Sequence, residues 1–400
     1  MDQAVLLPAG FTAAGVTCGV KDPQSPKKDL AVFVSDRPCA AAGVFTTNLV
    51  CGAPVKVSRE RLPRATTRAL VINSGNANAC TGEQGLADAR AMTAAVAHGL
   101  SCPAEDVLVA STGVIGRFLP LDRIVAGIGR ALSVRSSEPA ALRDAATAMM
   151  TTDTVPKLAS RELALRGTTV RVTGVCKGAA MIAPNMATML CALLTDVAVS
   201  PSQAFELLTG GVRDSFNCIS VDGHESTSDS VFLLANGAAG VEPTRAEEWQ
   251  AVQTAVNEVA QDLAMAIIRD AEGAHHFVQL DVTGCRTRDE AFRIAKTIAE
   301  SPLVKTAICG ADPNWGRVVS AAGYAGVPLR EEDLSLTMNG FPLYAAGRPL
   351  AFDAAAVSHS LRENRDVHIE LRLTLGSAGV RFWTSDLTKE YVELNADYTT

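Results

Sequence analysis

The chain has 400 residues, of which 48% are hydrophobic, 20% charged and 5% aromatic, and its formal net charge is −7. Such a chain can bury a sizeable core without disulfides, as two or three domains or as one large α/β unit. The acidic balance, with no Lys/Arg run and no basic–aromatic stripe, argues against a nucleic-acid partner, and a carboxylate substrate would need individual lysines or arginines in its site.

The first residues, "MDQAVLLPAGFTAAG", lack a basic n-region and a proper apolar h-region, so no secretory signal is expected. No apolar run reaches about 18 residues, so no membrane span is expected either. The ten cysteines (18, 39, 51, 80, 102, 176, 191, 218, 285 and 309) are scattered and form no C-x-x-C pair. They read as small thiols, mostly buried, in a reducing cytoplasm.

Along the chain, strand-like apolar runs alternate with segments of helical period. Strands are predicted at "DLAVFVSD" (29–36) and "RALVINSG" (68–75), followed by a helix at "GEQGLADARAMTAAVAHGL" (82–100). A strand at "EDVLVAST" (105–112) precedes helices at "LDRIVAGIGRAL" (121–132) and "PAALRDAATAMMT" (139–151). "GTTVRVTGVC" (167–176) reads as a strand, and 201–216 and 247–271 read as helices. A strand at "HHFVQLDVTG" (275–284), a helix at 288–301 and a strand at "DVHIELRLTLG" (366–376) complete the pattern. The class is mixed α/β, with helices covering sheet faces. There is no internal repeat, low-complexity tract or interdomain linker.

Common site motifs are missing: no Walker A loop, Rossmann glycine motif, H-E-x-x-H or G-x-S-x-G. His275 and His276 are adjacent, and neighbours on a strand point to opposite faces, so a surface role outweighs metal binding. "ASTGVIGR" (110–117) allows a phosphate cradle, a plain strand-to-loop turn, or backbone N–H groups aimed at an oxyanion.

The most informative stretch is "KGAAMIAPNMATMLCALLTD", Lys177 to Asp196. It places Thr188 between the small Ala187 and an apolar run. A threonine hydroxyl is a weak nucleophile that needs a base, and an N-terminal threonine carries one in its own α-amine. That amine titrates near about 7.7–8.0, so much of it is neutral at working pH. An internal threonine reaches that state by attacking the preceding carbonyl and releasing a new N-terminus. A small preceding residue and a constrained backbone, here Ala187 and Pro184, suit the reaction. The other reading of Ala187-Thr188 is a helix N-cap or a strand start.

The whole segment resembles the self-cleaving site of the ornithine acetyltransferase family, also called glutamate N-acetyltransferases. The resemblance spans essentially the whole chain. Similar segments follow in order: "PAGFTAAGVTCGVK" (8–21), "AAGVFTTNLVCGAPV" (41–55), "INSGNANACTG" (72–82), "ASTGVIGR", "MMTTDTVPK" (149–157), "SPLVKTAICGADPNWGR" (301–317) and "YVELNADYTT" (391–400). It implies an arginine-biosynthesis enzyme with two β-sheets sandwiched between helical layers, a fold shared with related aminopeptidases. It implies self-cleavage between Ala187 and Thr188 into an α chain (1–187) and a β chain (188–400). The two would stay together as one intertwined unit, in an (αβ)2 heterotetramer.

The resemblance implies a ping-pong transfer of acetyl from N2-acetylornithine to glutamate through an acetyl-Thr188 ester. Thr112 and Gly113 match the family's oxyanion-hole pair. Thr151, Lys177, Thr188, Glu272, Asn395 and Thr400 match its substrate-binding positions. Without the resemblance, Lys177 reads as a surface lysine, Glu272 as an exposed helix-end carboxylate, and Asn395 and Thr400 as part of a disordered tail. No metal or prosthetic group is implied, and some members also take acetyl from acetyl-coenzyme A. "DPNWGR" (312–317) is expected to be structural.

Two segments depart from the family pattern. Ala179-Ala180 stand where Ser-Gly or Ala-Gly is usual, which would slow cleavage if the lost glycine held an unusual backbone angle. His224-Glu225 stand where Asp-Thr is common. Two other functions compete: a self-processing N-terminal-nucleophile amidase or aminopeptidase, which would pass the acyl group to water, and a non-catalytic small-molecule-binding relative, which would stay uncut.

Overall fold

A computed structural model describes residues 4–183 and 189–397. Its first half contains β1 (Phe11–Val16), β2 (Leu30–Phe45), α1 (Ala53–Arg61), β3 (Arg64–Asn76) and α2 (Gly82–Leu100). Next come β4 (Val107–Val114), α3 (Leu121–Val134), α4 (Pro139–Met149), β5 (Lys157–Leu165) and β6 (Thr168–Lys177). The second half opens with β7 (Leu190–Thr195), α5 (Pro201–Arg213), β8 (Ile219–Ser220), β9 (Ser230–Ala235) and α6 (Ala246–Arg269). It continues through β10 (Phe277–Cys285), α7 (Arg288–Ala299), α8 (Pro302–Cys309), α9 (Trp315–Gly323), β11 (Ser335–Met338) and β12 (Phe341–Ala345). β13 (Arg348–Pro349), α10 (Ala354–Glu363), β14 (Asp366–Arg372), β15 (Ala378–Ser385) and α11 (Lys389–Asp397) close it.

The strands form two sheets. The first has eight strands in the order β4-β3-β2-β9-β7-β6-β5, with β1 paired to β2; the second has seven, in the order β13-β12-β11-β14-β10-β15-β8. β7 and β9 come from the second half of the chain yet lie side by side between β2 and β6 of the first half. β7 is antiparallel to β6, Lys177 facing Leu190, and parallel to β9, Leu190 facing Ser230.

The apolar run after Thr188 is explained by this central position. Cys191 and Leu193 point into the core shared with α5 and α6, while Leu190, Ala192 and Leu194 point to the core around α4. A strand covered on both faces needs apolar residues at every position rather than at alternate ones. α6 touches β5 and β6 of the first sheet and β8 and β15 of the second, and α7 packs on β10 and β15. A third core, around α2 and α3, covers the β2–β3–β4 end of the first sheet. The class is thus α/β, two sheets with helical layers on their faces.

Some element bounds differ from expectation. β2 does not stop at Asp36 but runs to Phe45. Its register slips between Val34 and Cys39, where Asp36, Arg37 and Pro38 are exposed. The irregularity accommodates the proline, which has no N–H for the ladder. Before it β2 pairs with β3; beyond it β2 pairs with β9 as well. The strand expected from 275 begins at Phe277, leaving His275 exposed and His276 buried. Among the described residues no helix is long and apolar enough to cross a membrane. All ten cysteines are free; six are buried and Cys80 is exposed.

Candidate active site

Thr112, Gly113, Thr151, Lys177, Glu272 and Asn395 line one cavity, with about 630 Å³ of empty space when its open mouth is included. They come from distant points of the chain. Thr112 and Gly113 end β4, Thr151 follows α4, Lys177 ends β6, Glu272 follows α6, and Asn395 lies on α11. Thr188, Ala187 and Pro184, like Thr400, lie outside the described residues.

Lys177 is only 2% exposed, which removes the surface-lysine reading. Its Nζ donates to Thr112 Oγ1 at 3.3 Å. An ammonium can only donate, so the threonine oxygen accepts and its own O–H is free to donate elsewhere. Burial pushes the Lys177 ammonium below the usual lysine range, while Asp153 opposes that push. Asp153 accepts from Gly178 N–H at 2.6 Å, from Lys157 Nζ at 2.7 Å and from Thr151 N–H at 3.0 Å. Burial alone would raise its carboxyl, but the Lys177 and Lys157 charges and these bonds hold it down at about 2.

Glu272 is half-buried and its backbone N–H donates to Ala179 O at 3.0 Å. Asn395 Nδ2 donates to Glu272 Oε2, also at 3.0 Å. The C-terminal segment is therefore a helix on the cavity rim as far as Asp397, not a free tail. Tyr391 anchors it: its hydroxyl donates to Asp222 Oδ2 at 3.1 Å. Asp222 also accepts the N–H groups of Met181 and Ile182, just upstream of the proposed cut.

Downstream of that cut, Met189 N–H donates to Asp229 Oδ1 at 3.1 Å. Asp229 is fully buried, and its Oδ2 has no hydrogen-bond partner among the described residues. Burial drives its carboxyl well above the usual range, against the pull of the Met189 N–H and the Lys177 charge. The preceding Ser226, Thr227 and Ser228 complete the cavity wall with Ile115, Thr152, Ala180 and Met181.

The two departures from the family pattern have distinct local outcomes. Positive φ angles near the cut fall on Gly178 (155°) and Met181 (54°), and neither Ala179 nor Ala180 has one. The missing glycine therefore occupies no left-handed backbone here. Glu225 ties its loop to the segment after β2, accepting from Thr47 Oγ1 at 3.4 Å and, through its carbonyl, from Asn48 Nδ2 at 3.3 Å.

Sequence reasoning passed over Asp153, Lys157 and Asp229. The first two lie in "MMTTDTVPK", where an acid and a lysine four residues apart were the available signal. Asp229 gave none, because its meeting with Met189 depends on the long-range pairing of β7 with β9. Elsewhere, ligand atoms of His275, Cys309 and Asp386 lie within 4.8 Å of one another. The Asp386 carboxylate is already engaged by the N–H groups of His275 and His276 and by the His276 ring.

Comparison with known proteins agrees with this geometry. The ArgJ family model matches residues 12–400. The arginine biosynthesis bifunctional protein ArgJ of Rhodopirellula baltica is 44% identical over 398 residues, covering 99% of this chain and 97% of its own. The protein of the same name from Symbiobacterium thermophilum is 45% identical over 399 residues, covering 99% and 98%. A crystal structure of arginine biosynthesis bifunctional protein ArgJ from Bacillus halodurans superposes with a TM-score of 0.50 at 35% identity, covering 52% of this chain and 98% of that one. Matched along nearly all of its length, the chain is an enzyme of the ArgJ family.

Proposed function

We propose that this enzyme transfers the acetyl group of N2-acetylornithine to glutamate through an ester on Thr188, giving ornithine and N-acetylglutamate for arginine biosynthesis. The observation that carries the proposal is the single cavity onto which Thr112, Gly113, Thr151, Lys177, Glu272 and Asn395 converge. A buried lysine and a half-buried carboxylate on one cavity suit the carboxylate and the amine of an α-amino acid. Both substrates carry the α-carboxylate, and the acetyl group sits on the α-nitrogen of one and is received by the α-nitrogen of the other, so one pocket can take them in turn.

The chain first cuts itself between Ala187 and Thr188, and the freed α-amine becomes the base. The Thr188 hydroxyl then attacks the acetyl carbonyl while the Thr112 hydroxyl and Gly113 N–H stabilise the oxyanion. Ornithine leaves with the proton, and the glutamate amine attacks the ester and restores the hydroxyl. This chemistry calls for no metal or prosthetic group.

The Bacillus halodurans chain supports the cut, since nearly all of it pairs with about half of this one. The sheet order supports lasting association as an αβ pair, because β7 and β9 are sandwiched between strands of the other half. Assembly into (αβ)2 belongs to the same proposal. The ten free cysteines support a reducing, cytoplasmic setting. The named relatives are bifunctional proteins, and we extend the proposal to acetyl-coenzyme A as a second donor to the same threonine.

The test is intact mass of the purified protein beside a Thr188→Ala control. Two fragments meeting at Ala187 and Thr188, absent in the control, are expected. Incubation with N2-acetylornithine alone should add one acetyl group to the 188–400 fragment, and glutamate should remove it. A single uncut chain with no transfer overturns the proposal. Release of free acetate in place of N-acetylglutamate favours a hydrolase.

A further inference from the structure

A charged triad lies buried beneath the cavity. Lys157 Nζ bridges Asp153 Oδ1 at 2.7 Å and Asp270 Oδ2 at 2.6 Å, with its side chain 1% exposed and the two carboxylates 0% and 7%. Burying three charges is costly, and apolar groups of the same shape are often as stable or more so. Fold stability alone is thus a poor reason for the triad to be here.

Its connections supply a better one. Asp153 grips the backbone of Thr151 and, through Gly178, the end of β6 that carries Lys177. Lys157 stands opposite Cys176 in the β5–β6 pairing, next to Lys177. Asp270 accepts Thr154 N–H at 3.0 Å and the Thr154 hydroxyl. It stands two residues before Glu272, whose N–H closes the circle on Ala179. Three segments that bear Thr151, Lys177 and Glu272 are therefore fastened to one ionic centre.

We propose that Asp153, held in place by Lys157 and Asp270, is a positioning residue that aligns Thr151, Lys177 and Glu272 around the cavity, and that the Asp153 carboxylate itself sustains the positive charge of Lys177 for the substrate carboxylate. This rests on the acetyl-transfer reading above. The charged groups that face Lys177 are Asp153 from the segment after α4, Lys157 from β5, Asp229 before β9, Glu272 after α6 and Lys21 after β1. Asp153 makes the largest contribution of the anions sustaining the Lys177 charge, and Lys157 and Lys21 oppose it.

The two halves of the triad should then act on Lys177 in opposite directions. Asp153→Asn keeps the shape and one acceptor but removes the charge. The alkaline limb of kcat/KM for glutamate should move down by about one pH unit or more. KM for glutamate at neutral pH should rise at least about tenfold while kcat changes less. Lys157→Met removes a repelling cation and should move the same limb upward. Asp153→Glu should restore part of the wild-type profile.

A purely structural triad predicts something else: both variants lose activity in parallel with the limb unmoved, and that result overturns the proposal. Circular dichroism and the mass of the 188–400 fragment check folding. Should the Asn variant not fold, the direction of the Lys157→Met shift decides alone. If the wild type itself shows no transfer to glutamate, the function reading fails, and the triad proposal falls with it. Wild-type transfer with unmoved limbs overturns the triad proposal only.

Discussion

Gly113 faces Gly75 across the parallel pairing of β4 with β3, and neither position has room for a side chain. A Cβ on Gly113 would lie 2.3 Å from the Gly75 carbonyl carbon and 2.5 Å from Asn76 N, and its φ is +129°. Gly75, at φ +99°, lies in turn against Lys21, whose Cα would be 2.9 Å from an added Cβ. The two strands approach this closely where they deliver Thr112 and Gly113 to the cavity.

Gly113→Ala is therefore expected to destabilise the protein twice over, by about 1–3 kcal/mol for the backbone angle and by about 1–3 kcal/mol for the overlap. Acetyl transfer should fall with it, because relief requires the end of β4 to move away from β3. Urea unfolding beside steady-state kinetics measures both. A variant of wild-type stability would show that β4 ends more loosely than these distances state.

On the proposed mechanism, Thr112 separates the binding and chemical steps. Its oxygen is occupied by the Lys177 ammonium, so its hydroxyl proton is the part available to a developing oxyanion. Thr112→Val keeps the shape and removes that proton. kcat should drop by about 10²–10³, as for other lost oxyanion donors, and Thr112→Ser should retain most activity. If Thr112→Val raises KM and spares kcat, the hydroxyl serves binding and not the oxyanion.

Sequence pattern reached far into this molecule where the signal is local. α2 spans Gly82–Leu100 as its period states, and it ends at Ser101 in the left-handed conformation that closes many helices. The apolar run after Thr188 was legible as buried, though not as a strand covered on both faces. Long-range pairing hid the rest. Lys177 looks like a surface lysine until β6 is seated between β5 and β7. Asn395 looks like part of a loose tail until α11 is tied to Asp222 and Glu272. β2 looks finished at Asp36, because nothing nearby in the chain reveals that β9, almost two hundred residues on, extends the ladder past Pro38. The six residues that meet on the cavity could be named from the family resemblance; their buried partners Asp153, Lys157 and Asp229 could not.

Asp229 makes a stability prediction with a definite sign. Burial raises its carboxyl well above the usual range in the fold. In the unfolded chain it ionises above about 3.9. As pH rises past that value the unfolded state loses a proton that the folded state keeps, so this residue costs stability progressively. Asn has no such proton to lose and still accepts from Met189 N–H. The stability of Asp229→Asn relative to wild type should therefore improve between about pH 4 and pH 7. Urea midpoints across that range give the answer. A difference independent of pH would mean that the native carboxyl is ionised.

His276 makes the opposite kind of pH prediction. Its Nδ1 meets Asp386 Oδ2 at 2.8 Å and its Nε2 meets the Leu361 carbonyl at 3.0 Å. Both partners are acceptors, so the ring form that satisfies both is the cation, with a proton on each nitrogen. The bond to Asp386 raises its pKa above the ordinary histidine value, outweighing burial. Burial would raise Asp386, but the His276 bond and charge leave it depressed.

A raised histidine contributes stability that is complete below its unfolded pKa, about 6.5, and lost as pH climbs through the folded value. The depressed carboxylate contributes above its own unfolded pKa and loses that contribution as pH falls through its folded one. Wild-type melting temperature should therefore decline above neutral pH. His276→Gln should be flat over the same range and lower by about 3–5 kcal/mol below neutrality, the usual cost of breaking a buried pair. The loss should reach the active site as well. Asp386 also holds the N–H groups of His275 and His276, and Thr388 Oγ1 donates to the Gly273 carbonyl beside Glu272. An alkaline melting curve with no decline would place a neutral imidazole between two acceptors, contrary to the hydrogen bonds that hold it.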